Sequence, residues 1–219
     1  MSGGVGMMPG NTMPGNDGGL RERRKAHRRS RIVEAVRELL REGPESGVSV
    51  ERIAERAEVA PATVYNLIGP RERIWEALAA GFMEELERRL AGLEAGDPHV
   101  VVRTTVRLFV ADPVVSRRMV RAWEQSGLVL DRSPLARLRA AMEEARARGL
   151  LRADVDIDAL TAVVGAACVG ALHQWVAALI DDDRFLARAL FALDVALAAA
   201  AADPCREELL APLRRRGMA

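Results

Sequence analysis

Pro61, Ala62, Thr63, Tyr65 and Asn66 fall within one short window of the chain, and together they suit the reading of a duplex surface. The Thr63 hydroxyl and the Asn66 amide can reach base edges or the backbone, and Pro61 and Ala62 offer apolar surface suited to thymine methyl groups. Tyr65 is the only tyrosine in the chain, and its hydroxyl can contact a phosphate; the plainer reading is a packing residue. Upstream, Ser49 stands where a helix N-cap belongs. Its hydroxyl and the backbone N–H groups behind it can receive a phosphate. Arg71 opens a later helix, where a guanidinium can pair with another phosphate. Arg24, Arg28 and Arg29 can track phosphates or enter a minor groove; otherwise they are a solvated helix end.

These side chains need short helices to hold them. Val50, Ile53, Ala54 and Ala57 follow the i, i+3, i+4, i+7 pattern of about two helical turns. Glu58-Val59-Ala60 breaks that helix, and Pro61 is well placed as the first residue of the next, which runs to about Leu67. Ile53, Ala57, Val59, Val64 and Leu67 form the apolar set, and Ala54 is small where two helices cross closely. This is the sequence form of a helix-turn-helix, whose second helix enters the major groove, ~12 Å wide. Ahead of it, residues 21–31 carry seven basic groups against the single acid Glu22, a local charge of +6. This basic arm runs into an amphipathic helix built on Ile32, Val33, Val36, Leu39 and Leu40, which Gly43-Pro44 stops.

From Arg31 to Leu90 the chain resembles the DNA-binding domain of the tetracycline-repressor (TetR) family. The matching residues are Ile32-Val33-Glu34-Ala35 in the first helix and Val48-Ser49-Val50 before the second. They continue with Ile53-Ala54-Glu55-Arg56-Ala57, with Val59, with Thr63-Val64-Tyr65 in the third helix, and with Arg71-Glu72 at the start of the fourth. Four positions depart from the family pattern. Glu58 stands where the turn usually has glycine, a cost of roughly 1 kcal/mol if φ is positive. Ala60 replaces the usual Ser or Thr cap, a loss of about 1 kcal/mol. Ile68 and Gly69 replace the usual aromatic residue and the Pro or Gly that follows it. Beyond Leu90 the resemblance is one of architecture, and it implies a helical regulatory domain, dimeric, with a ligand cavity.

The rest of the sequence bounds these expectations. The chain has 219 residues and a formal net charge of +1, so nucleic-acid binding must come from local charge. Cys168 and Cys205 are the only cysteines; they exclude a disulfide scaffold and a cysteine-based zinc module. The histidines His27, His99 and His173 are scattered, and HExxH, GxSxG and Walker signatures are absent. No metal, no cofactor and no enzymatic activity are expected. The glycine-rich N-terminus has no apolar stretch after a basic one, so no secretory leader and a cytoplasmic location are expected. Ala159 to Ile180 lacks formal charge and approaches the ~20 residues of a membrane span, but both flanks are acidic, which favours a buried helix–helix interface.

The chain reads as all-α. Residues 1–20 form a disordered tail, 21–69 the helix-turn-helix domain, 70–96 a connecting helix, and 97–219 a helical regulatory and dimerisation domain. Helices are placed near 99–111, 113–126, 134–148, 157–180, 184–202 and 205–216. Aromatic residues make up only 4% of the chain, so Phe109, Trp123 and Trp175 stand out, along with Met119, Met142 and His173. They are candidates for lining a cavity that takes an apolar or aromatic ligand; the alternative is ordinary core. The Ala- and Gly-rich helices near 157–180 and 184–202 suit a four-helix interface with a second copy, or burial within one subunit. The leading expectation is a regulator, of the repressor kind, that binds double-stranded DNA as a homodimer and answers a small-molecule effector. A constitutive or architectural DNA-binding protein is the second reading, and an all-α enzyme the third.

Overall fold

The computed structural model describes residues 17–91, 93, 96–126 and 134–216. Among these, the secondary structure is helical. The elements are α1 (Asp17–Glu42), α2 (Val50–Arg56), α3 (Pro61–Leu67), α4 (Arg71–Leu90), α5 (Pro98–Val110), α6 (Pro113–Ser126), α7 (Pro134–Ala147), α8 (Ile157–Val176), α9 (Asp182–Ala200) and α10 (Arg206–Arg216). A 3-10 turn at Glu45–Gly47 separates α1 from α2, and another at Asp203–Cys205 precedes α10.

The helix ends have local causes. Asp97 accepts from the His99 N–H at 2.8 Å and caps α5, with Pro98 at its first position. Asp156 caps α8 and Asp181 caps α9 in the same way. α8 ends at Val176, short of the expected 180, because the chain turns through Ala178 at φ 59°. The Asp181 cap then starts α9 at Asp182, two residues ahead of the expected 184. α1 begins at Asp17, inside the stretch read as a tail; the remainder of that tail lies outside the described residues.

One apolar core runs through both halves. Ile32, Val36 and Leu40 of α1 pack with Ile53 of α2, Val64 of α3 and Ile74 and Leu78 of α4. Phe82 carries the core on into the body, where its ring meets Phe109 at 4.5 Å between centroids. α5 packs on α7 and α9, and α8 on α9. His99 ties α5 to α9: its Nε2 lies 2.7 Å from the carboxylate of Asp194, which is buried. A single antiparallel bridge, Leu151 to Ala201, closes the loop before α8 onto the end of α9.

Two arginine contacts fasten α1 to the body. Arg118 of α6 donates to the carbonyls of Leu40 and Gly43, groups that the end of α1 leaves open. Arg41 pairs with Asp112 at 2.7 Å, next to the start of α6.

Candidate functional site

The first site is the outer face of α2 and α3. The Ser49 side chain caps α2 by accepting from the Arg52 N–H at 3.3 Å. Glu51 beside it is held below the usual carboxylate range, first by its own backbone N–H and then by the Ser49 hydroxyl. The turn into α3 passes through Glu58 at φ 49°, the left-handed conformation for which the family pattern uses glycine. Arg31 secures this turn: it donates to the Ala57 carbonyl at 2.7 Å and to the Glu58 carboxylate at 2.9 Å. Ala60 caps α3 without a side-chain bond, and Pro61 takes the first helical position.

Val64 is fully buried and anchors α3 to the core. The rest of the helix then faces outward: Pro61, Ala62, Tyr65 and Asn66 are exposed and Thr63 is half-buried. Tyr65 is 51% exposed, so it is not held in the core. Gly69, at φ 114°, allows the sharp turn from α3 into α4, where any side chain would be strained. Arg71 then stands at the start of α4, exposed, donating to the Glu45 carbonyl at 3.1 Å.

The basic arm is the first part of α1. Residues 19–30 are exposed. Arg28 lies one turn before Ile32 and Lys25 two turns before it. Arg24 and Arg28 likewise precede Ala35 by whole turns. The face of α1 that is apolar within the core therefore continues as a basic stripe beyond it. Lys25 and Arg29 border a polar cleft of about 540 Å³ between α1, α3 and α4, which Asn66 also lines.

The second site is a cavity of about 560 Å³ in the helical body. α5 supplies Val101, Thr105 and Phe109, spaced four residues apart and so stacked on one helix face. Trp123 and Glu124 of α6, Leu138 of α7, Cys168, Leu172 and His173 of α8 and Phe185 of α9 complete most of the wall. Gly165 also lines it; a Cβ there would come within 2.6 Å of the Leu135 side chain, so glycine permits this approach of α7.

Of the residues singled out from the sequence, Phe109, Trp123 and His173 line this cavity. Met119, Met142 and Trp175 are buried elsewhere in the core. Met142 accepts a contact from the Thr161 hydroxyl at 3.4 Å. Trp175 is held on three sides: its N–H donates to Asp182 at 2.7 Å, Phe185 stacks on it, and Arg117 lies over its ring at 4.6 Å. Sequence reasoning missed Glu124, Thr105 and Phe185. The four-residue spacing from Val101 to Phe109 was the available signal for α5. α8 gave none, being apolar nearly all round.

No family model matches the chain, and no curated protein matches it. Solved structures do. A TetR transcriptional regulator from Agrobacterium tumefaciens is similar over 82% of this chain and 98% of its own, with a TM-score of 0.60 and 21% identity. SmeT, the repressor of the Stenotrophomonas maltophilia multidrug efflux pump SmeDEF, is similar over 80% of this chain and 91% of its own, with a TM-score of 0.54 and 24% identity. The SmeT–triclosan complex is similar over 81% of this chain and 93% of its own, with a TM-score of 0.56 and 23% identity. The chain therefore has the all-α fold of the TetR-family transcriptional regulators.

Proposed function

We propose that this chain is a ligand-responsive, sequence-specific DNA-binding regulator, a repressor released from a palindromic operator by a small apolar or aromatic effector. One observation carries the reading: an outward-facing helix-turn-helix and a largely apolar cavity share a single continuous core. α3 enters the major groove, with Pro61, Ala62, Thr63 and Asn66 toward the bases. Ser49, Tyr65 and Arg71 hold phosphates on either side of it, and Arg28 and Arg29 hold the flanking backbone. Residues 21–69 are the DNA-binding domain, 70–96 the connecting helix and 97–219 the regulatory and dimerisation domain. The SmeT–triclosan complex has a small aromatic ligand on a similar fold, which supports an effector of that kind.

A homodimer forms through α8 and α9. Their outward faces carry Val163 (65% exposed) and Phe191 (49% exposed) among alanines and glycines. α8 is long and apolar enough to cross a membrane by length and composition. Its uncharged stretch has acidic flanks, Asp154, Asp156 and Asp158 before it and Asp181, Asp182 and Asp183 after it, which favour the dimer reading instead, in a cytoplasmic protein. The dimer sets two copies of α3 one DNA turn apart, ~34–36 Å. The effector favours a spacing that no longer fits, through a coupling energy on the order of 1–3 kcal/mol. A constitutive DNA-binding protein would have no need of the cavity.

The test is a fluorescence-anisotropy titration with promoter DNA flanking the chain's own gene, at several salt concentrations. Tight, sequence-selective binding is expected, with log affinity falling linearly in log salt. Arg71→Ala is expected to lower that slope by about one. Tyr65→Phe should weaken binding with the slope unchanged, because its hydroxyl is neutral. Equal binding to scrambled DNA, with both variants indistinguishable from the parent, would sink the reading.

A further inference from the structure

The cavity's few polar groups differ sharply in what they can offer a ligand. Thr105 is already committed, its hydroxyl donating to the Val101 carbonyl at 2.8 Å. Cys168 is neutral, because burial pushes its thiol up to about 11. That leaves Glu124 of α6 and His173 of α8, whose carboxylate and Nε2 meet at 2.8 Å. Both side chains are about half exposed, so the pair lies at the wet edge of an otherwise apolar space. Among the described residues, no arginine or lysine lines the cavity.

We infer that the cavity selects amphiphiles bearing one positive charge, with the apolar or aromatic body inside and an ammonium group on the Glu124 carboxylate. This rests on the reading of the cavity as the effector site and narrows the class of effector. An ammonium donates to Glu124 in place of His173, and the half-exposed imidazole turns to water. The rings of Phe109, Trp123 and Phe185 line the same space and suit the apolar or aromatic body of such a ligand. A carboxylate ligand meets the opposite situation: it faces Glu124, and among the described residues lining the cavity there is no guanidinium or ammonium to pair with. A neutral hydroxyl bonds to the pair without gaining from its charge. Because the edge is wet, the charge term is moderate rather than that of a dry interior.

The experiment is isothermal calorimetry on the full chain without DNA at pH 7.5. It uses 8-phenyloctylamine, 8-phenyloctan-1-ol and 8-phenyloctanoate, which differ only at the head group. The amine is expected to bind at least tenfold tighter than the alcohol, and the carboxylate most weakly. Glu124→Gln should abolish the amine's advantage, so that amine and alcohol both still bind and lie within about twofold of each other, a readout that misfolding would not give. Phe109→Trp, which fills the cavity, should weaken all three ligands. The inference is overturned if the carboxylate binds as well as the amine, if Glu124→Gln leaves the preference intact, or if none of the three binds. Failure of the regulator reading would look different, as absent operator binding beside an intact amine preference.

Discussion

Glu51 and Cys168 show how single groups set the chemistry of each half. Glu51 is ionised beside Ser49, the proposed phosphate contact, and it is fully exposed. Glu51→Gln removes a negative charge from the approach path and is expected to tighten operator binding several-fold in the anisotropy titration. Unchanged affinity would move the phosphate away from Ser49. Its carboxyl is held low in the folded chain, so its contribution to stability is present above the usual carboxylate range and is lost as the pH falls through the depressed one. Cys168 has the opposite sign. Its thiol is raised to about 11, so its stabilisation is complete below the ordinary thiol value of about 8.5 and is lost as the pH rises through 11. Iodoacetamide at pH 8 is expected to leave Cys168 largely unmodified, with labelling rising toward pH 11 when followed by mass spectrometry. Rapid labelling at pH 8 would mean that the cavity wall opens to water.

Among the elements, α6 joins the two sites. Its Arg118 closes the C-terminus of α1, its Trp123 and Glu124 line the cavity, and the Trp123 indole N–H reaches the Trp75 carbonyl of α4 at 3.4 Å. Arg118→Ala is therefore expected to leave effector affinity near the parental value while reducing effector-driven release from DNA, read as the ratio of operator affinities with and without ligand. An unchanged ratio would leave α4 as the sole connection. Leu78 and Phe82 of α4 are less selective probes, because both are buried and truncation to alanine costs about 2–5 kcal/mol of stability. The role of α6 was not legible in the sequence. Its contacts to α1 join residues more than seventy positions apart, and no local pattern encodes that distance. The helix-turn-helix was legible because its signals are local: a Ser49 cap, a three-residue break, Pro61 at a helix start. Trp175 illustrates the limit of composition, since a rare aromatic marks a large buried volume and not whether that volume faces a cavity.

For the whole molecule, the proposed dimer rests on the outward face of α8 and α9. Phe191→Arg with Val163→Glu is expected to convert a dimer into a monomer by light scattering, and to weaken operator binding by orders of magnitude as the two half-sites lose their linkage. A parental mass would place the interface elsewhere. The described basic arm has a further consequence at this scale. The chain is nearly neutral, yet seven of its 32 basic residues fall within residues 21–31 against the single acid Glu22, so positive charge is concentrated locally on the exposed first turns of α1. In the proposed encounter with DNA, that local charge steers association and draws the arm, with the neighbouring helix-turn-helix, toward the polyanion first. The arm then governs how quickly a target is found. Because Arg28 and Arg29 also hold the flanking backbone in the proposed complex, the charge of the arm bears on both the speed of search and the residence time.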